Sequence, residues 1–189
     1  MLIEKNLYII AGCNGAGKTT ASFTILPEIL DCKEFVNADE IARGLSPFQP
    51  EKVAKESGRI MLNRIDELLN IGENFAFGTT LSAKSYRNKI LDAKEKGYNV
   101  VILFFWLQNI ELAKRRVRIR VREGGHNIPE HVIERRYVSR IKNLFQKYLP
   151  IVDEVLIDNS EGVSDLIAEK LNSTDIQIKN HLTFNSLKL

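Results

Sequence analysis

The chain is poor in several features that would otherwise fix its class. Two cysteines, Cys13 and Cys32, are all that its 189 residues hold. That excludes a disulfide framework, and two free thiols suit a reducing cytoplasm. Long apolar runs are missing too, since none approaches the roughly 20 residues a membrane helix needs. The first residues lack the basic-then-apolar pattern of a secretory leader, so a cytoplasmic location is expected. Charge of one sign is scarce, with 27 basic side chains against 24 acidic ones and a net +3. So small an excess makes no electrostatic case for a nucleic-acid or membrane partner. The histidines, His126, His131 and His181, show no metal-ligand spacing. His126, in a glycine-rich joint, could touch phosphate or stand without a partner. No repeat, low-complexity tract or linker separates off a second domain. What remains, 44% apolar and 27% charged residues, suits one globular domain with a sizeable core.

What is present is an alternation of strand-like and helical stretches. It predicts an α/β fold with a mostly parallel, five-stranded sheet flanked by helices. Strands are expected at residues 6–11, 34–37, 74–81, 98–107 and 152–158. The run 98–107, YNVVILFFWL, is apolar nearly throughout, as in a central strand covered on both faces. Trp106 within it reads as core or as a wall beside a site. A helix is expected from Lys18, faltering near Pro27, whose ring clashes with the preceding turn. Further helices are expected at 38–44, 51–70, 82–96, 109–123, 129–148 and 163–171. The domain is placed at 1–171. In the tail, 172–189, Ile176 to Ile178 could pair at a sheet edge or stay disordered.

Between the first strand and the first helix lies GCNGAGKT, Gly12 to Thr19, which fits G-x-x-x-x-G-K-[ST]. Such a loop turns backbone N–H groups toward phosphate oxygens, helped by the helix dipole. Gly12, Gly15 and Gly17 permit the tight turn and close backbone approach. The expected cradle is Gly12, Asn14, Gly15, Ala16, Gly17, Lys18, Thr19 and Thr20. Lys18 would reach the β- and γ-phosphates, and the Thr19 hydroxyl would ligate Mg²⁺. This is the signature of the P-loop NTPase fold, and it implies a bound nucleoside triphosphate.

Three further groups are expected near that loop, because ligands gather at the carboxyl ends of parallel strands. The second strand ends in Asn37-Ala38-Asp39, with Arg43 one helical turn on. Asp39 could take a proton from an attacking hydroxyl, organise Mg²⁺ through water, or cap a helix. Arg43 could pair with Asp39 or touch a substrate, beside Asn37. Thr79 and Thr80 close the third strand and could bind substrate or cap the next helix. Val155-Leu156-Ile157-Asp158 resembles a Walker B strand but falls on the last strand, which leaves Asp39 as the better metal-side acid.

The third group is arginine-rich, Arg115 to Arg122 and then Arg135, Arg136 and Arg140. On the first of these two helices Ile110, Ala113, Val117 and Val121 form an apolar stripe. Arg116 and Arg120 flank it, while Arg115, Arg118 and Arg122 face outward. Helix, glycine joint and helix, about residues 109–148, make the pattern of an arginine-bearing lid over a transferring phosphoryl group.

These segments together resemble the zeta-toxin family of P-loop kinases, from Leu7 to Ser160. The resemblance rests on GCNGAGKT, FVNADEIARGLSP, the F-x-TTL strand end, RVRIRVREGGHNIPEHVIERRY and YLPIVDEVLIDNS. It implies a kinase using ATP (or GTP) and Mg²⁺ on the amino-sugar hydroxyl of a UDP-activated sugar, restrained by a small antitoxin. It also implies Asp39 as general base, Lys18 as phosphate ligand and Arg120 and Arg136 as lid arginines, with Arg116 a third. Arg43 and Thr80 would lie on the substrate side. One position departs, since the family pattern has glutamate where this chain has Gly78. A different acceptor, a weakened relative and a laboratory substitution each fit that glycine.

Overall fold

The structure, a computed structural model, describes residues 5–83, 85–125, 127–160, 165–172 and 175–187. His126 and the start of the helix expected at 163–171 lie outside them. Strands β1 (Lys5–Gly12), β2 (Glu34–Val36), β3 (Phe75–Thr79), β4 (Tyr98–Trp106) and β5 (Glu154–Asn159) pair in parallel, in the order β2-β3-β1-β4-β5. Two more strands, β6 (Asp165–Lys170) and β7 (Gln177–Ile178), continue the sheet antiparallel beyond β5. The sheet therefore has seven strands among the described residues, not the expected five.

The correction falls on the stretch expected as a last helix. In β6, Ile167 and Ala168 are both buried, which breaks the period-two alternation of a flat strand. The register explains it: Ile157 pairs with Ala168 and Asp158 with Leu166, so Ile167 is the extra residue of a β-bulge. Lys170 is also buried, its Nζ donating to the carbonyl oxygens of Leu149 (2.9 Å) and Val152 (2.6 Å). Those acceptors are tertiary, and no local periodicity announces them. The tail is ordered where described, through β7 and helix α7 (His181–Leu187), which buries Phe184 and Leu187.

Both faces of the sheet are covered. Along β4, Val100, Ile102, Phe104 and Trp106 enter one apolar cluster, and Val101, Leu103 and Phe105 enter the other. Alternate side chains point to opposite faces, so a strand packed on both must be apolar at every position. The first cluster packs against α3 (Ala54–Ile71) and α4 (Tyr86–Glu95). The second packs against α5 (Ile110–Arg122) and the start of α6 (Glu130–Asn143). After the phosphate loop, α1 (Lys18–Thr24) passes into a wide π turn, Ile25–Ile29, that contains Pro27. A short 3₁₀ turn, Pro50–Val53, precedes α3, and α2 (Ala38–Leu45) follows β2 directly. Among the described residues no helix is long and apolar enough to cross a membrane.

Candidate active site

A cleft of about 540 Å³ opens where β1, β2 and β3 end. That volume lies within the range of about 300–1,000 Å³ usual for ligand sites. Asn14, Gly15, Gly17, Lys18, Thr19 and Thr20 line its phosphate-loop wall. Asn37, Asp39, Arg43, Thr79 and Thr80 line the opposite wall, with Arg116, Arg120 and Arg136 above. Two residues of the expected cradle do not reach it. Ala16 is buried beneath the loop, and Gly12 supplies a carbonyl rather than a wall.

Local contacts explain the loop's glycines. Gly12 has φ 145°, and a Cβ there would lie 2.5 Å from the Phe105 carbonyl oxygen. At Gly15, with φ 81°, a Cβ would lie 2.9 Å from the Ala113 oxygen. Both positions exclude any side chain. The Lys18 ammonium folds back over this loop, donating to the carbonyl oxygens of Gly12 and Cys13, each at 3.0 Å. Burial pulls its pKa below the ordinary lysine value, and the negative charge of Asp39 is among the influences opposing that fall.

Asp39 does not cap its helix. Asn37 does, its Oδ1 accepting from the Asp39 N–H at 2.9 Å. Such a cap is worth about 0.5–2 kcal/mol, and it fixes the first turn of α2 at the rim. The Asp39 carboxylate is thereby left to face the cleft, near enough to Lys18 and Arg136 that its charge favours the protonated form of each. Arg43 pairs with Glu40 at 3.6 Å rather than with Asp39. The Walker-B-like Asp158 sits on β5, two strands from β1, and does not line the cleft.

The arginines separate into distinct roles. Arg116 reaches across to two backbone carbonyls, Gly15 (3.2 Å) and Ser160 (3.2 Å), and so ties the phosphate loop to the end of β5. Arg136 donates to Asn14 Oδ1 at 3.4 Å, and burial lowers its pKa while Asp39 opposes the shift. Arg120 differs from both, because its Nε and Nη2 are buried without a hydrogen-bond partner. Its backbone is pinned by the joint that follows. Gly125 N donates to the Arg120 oxygen at 2.8 Å and Gly124 N to the Val121 oxygen at 3.1 Å. This is a Schellman closure, with Gly124 at φ 89°. Arg115, Arg118, Arg122 and Arg135 are exposed, and Arg118 pairs with Glu130 at 3.7 Å. Arg140 is fully buried and belongs to no part of the cleft.

On the opposite wall, which would be the acceptor wall of a kinase, the threonines serve the turn, not a helix cap, since α4 begins only at Tyr86. Thr79 Oγ1 accepts from the Leu81 N–H at 3.1 Å, and Thr80 Oγ1 lies 2.8 Å from Ser82 Oγ. Gly78 needs no special backbone. A Cβ there would meet Asn37 Nδ2 and Phe35 Cζ at 3.4 Å, ordinary contact distance. Phe35, Glu40, Tyr86 and Glu123 also line the cleft, and sequence reasoning did not single them out. Helical spacing offers Glu123, three residues beyond Arg120. Phe35 and Tyr86 carry only the apolar signature of core residues, and Tyr86 does stack on Phe77, with ring centroids 5.1 Å apart.

Magnesium usually takes one or two protein oxygens and completes its shell from phosphates and water. Thr19 and Asp39 at one cleft fit that demand. Among the described residues no three His, Cys, Asp or Glu side chains gather into a metal centre of their own.

The sequence profile of the zeta toxin family matches residues 3–172. An uncharacterized protein of Haemophilus influenzae is 28% identical over 145 residues, which cover 72% of this chain and 100% of that protein. Among solved structures, a chain of the AvrRxo1-ORF1:-ORF2 complex with ATP superposes with a TM-score of 0.76 at 17% identity, over 97% of this chain. The present chain spans only 63% of that one. A chain of the PezAT toxin-antitoxin system of Streptococcus pneumoniae superposes with a TM-score of 0.69 at 17% identity, over 92% of this chain and 76% of its own. The profile match runs through every element that builds the cleft. The chain belongs to the zeta toxin family.

Proposed function

We propose that the chain transfers the γ-phosphoryl group of ATP (or GTP) to a hydroxyl of a UDP-activated amino sugar. The reading rests on one observation. The Asp39 carboxylate shares a cleft with Lys18, Arg120 and Arg136, close enough to Lys18 and Arg136 to favour their charged forms. Lys18 leaves the Gly12 and Cys13 carbonyls for the β- and γ-phosphates. Asp39 accepts the hydroxyl proton as the acceptor oxygen bonds to the γ-phosphorus. The bond from that phosphorus to the β-bridging oxygen breaks, and ADP departs. Arg120, which lines the cleft, would neutralise the charge that spreads over the transferring oxygens. Arg136 and Arg116 hold Asn14 and Gly15, and with them the loop, in place. Mg²⁺ bound with the nucleotide would neutralise phosphate charge, and Thr19, with Asp39 through water, would hold it.

Gly78 favours a second acceptor class. It leaves the Asn37 amide and the Phe35 edge where the family pattern has a carboxylate, which suits another nucleoside or nucleotide-type metabolite. An antitoxin that obstructs the nucleotide cleft is part of the same proposal, supported by the likeness to the PezAT system.

The test is to incubate purified protein with labelled ATP, Mg²⁺ and a panel of UDP-sugars, nucleosides and dinucleotides. Phosphate on a UDP-amino sugar, lost in Asp39→Asn, is the expected result. Product on another acceptor selects the second class. Tight ATP binding with no product anywhere identifies a nucleotide-binding module and defeats the kinase reading.

A further inference from the structure

The end of β2 carries two cleft residues that the phosphoryl chemistry leaves unused. Phe35, in the strand, and Asn37, just beyond it, are two positions apart and share a face. Both are half-buried and line the cleft, so a ligand there can reach them. They also border a hollow of about 480 Å³ between β2, α2 and α3, which gives a ring further room. Gly78, without a side chain, lies beneath them. A Cβ there would meet Asn37 Nδ2 and Phe35 Cζ, each at 3.4 Å. An amide donor and an aromatic edge therefore overhang bare backbone in the cleft wall.

The Asn37 amide has only one usable orientation. Its Oδ1 accepts from the Asp39 N–H at 2.9 Å, and a backbone N–H can only donate. Nδ2 is thus the end that faces Gly78, and it has no acceptor among the described residues. An unrestrained asparagine can turn its amide over and pair with either polarity of ligand edge. Here that turn would break the cap of α2. The fixed amide donates from Nδ2 and keeps one lone pair on Oδ1 to accept. Its complement is a ring carbonyl beside a ring N–H, the edge that uracil presents. Cytosine presents the reverse, an amino donor beside a bare ring nitrogen.

Resting on the nucleoside class of acceptor, we propose that Asn37 and Phe35 select an oxo-pyrimidine ring over an amino-pyrimidine ring. Asn37 pairs with the carbonyl and N–H edge, and Phe35 packs against the ring. The helix cap is what makes the choice one-sided.

The test is calorimetric titration of the full chain with uridine and with cytidine. A saturating non-hydrolysable ATP analogue and Mg²⁺ keep the phosphate loop occupied. Uridine is expected to bind about tenfold or more tighter than cytidine, the discrimination usual for a paired base edge. Asn37→Asp keeps a capping oxygen, so the Tm should hold, but it replaces the donor with an acceptor. That variant is expected to reverse the order and favour cytidine. Phe35→Leu should weaken both nucleosides about tenfold through lost stacking and leave their ratio unchanged. Equal affinity for the two, or an order that Asn37→Asp leaves intact, overturns the assignment. So does failure of either nucleoside to bind, and product formed on a UDP-amino sugar by the same preparation would leave the kinase reading standing.

Discussion

The two walls of the cleft are built on different terms. On the phosphate-loop wall almost every group is held by distant backbone. Gly12 presses on Phe105, Gly15 on Ala113, and Arg116 clamps Gly15 to Ser160. On the acceptor wall the polar groups bond to near neighbours in sequence: Asn37 to Asp39, Arg43 to Glu40, Thr79 to Leu81, Thr80 to Ser82. The first wall, proposed to hold a polyphosphate whose geometry is common to all nucleoside triphosphates, is set by long-range packing. The second can change locally without disturbing the fold, which is what acceptor choice requires.

The comparison can be broken in a graded series. The largest effect belongs to Asp39→Asn, which should lower kcat by about 10²–10⁴, the span of a lost general base. ATP affinity, read by equilibrium titration, should barely move. If nucleotide binding collapses instead, Asp39 serves the metal and not the proton. Arg120→Ala comes next, lowering kcat by about 10²–10³ as for a lost transition-state donor. Arg116→Ala should chiefly raise the KM for ATP, because its partners are loop carbonyls. The reverse pattern would put the phosphoryl group against Arg116.

On the acceptor wall, Gly78→Glu restores a charged hydrogen-bond partner worth about 1.5–3 kcal/mol. It should raise kcat/KM for a UDP-amino sugar about tenfold or more, at about 1.4 kcal/mol per decade, without changing the KM for ATP. A folded variant with no gain on any UDP-sugar assigns the site to another acceptor. Gly15→Ala tests the other wall. Its positive φ and the nearby Ala113 oxygen should cost about 1–3 kcal/mol, read as a lower Tm and weaker ATP binding.

The smallest effect lies outside both walls. Burial pushes the Cys32 thiol from 9.0 to about 11. The folded chain thus holds that proton more tightly than the unfolded one. The resulting stability is fully present below pH 9 and declines as pH rises toward 11. Cys32→Ala should flatten the alkaline fall of the denaturation midpoint. An equally steep fall would assign it to other groups, such as Tyr148, whose phenol burial raises to about 12.

The phosphate loop was legible because its chemistry is written in consecutive residues, with glycines at the positions where φ is positive. The arginine helices were legible for a related reason, as helical spacing alone puts Arg116 and Arg120 on one flank. Their different duties were not, because Ser160 and Gly15 reach Arg116 only through the fold. The β6 stretch, DLIAEK, misled in the same way. A bulge and two tertiary carbonyls decide its form, and six residues with two consecutive buried positions suit a helix equally well. Phe35 and Tyr86 stayed hidden because an aromatic wall and an aromatic core residue look alike in sequence.

The sheet's outermost members carry a further consequence. Among the described residues the marginal strands are short, three residues in β2 and two in β7. Short margins deny neighbouring copies a template for cross-molecule strand pairing. A concentrated solution of the chain should therefore stay monodisperse in light scattering, free of the ribbon-like aggregates that long open sheets seed.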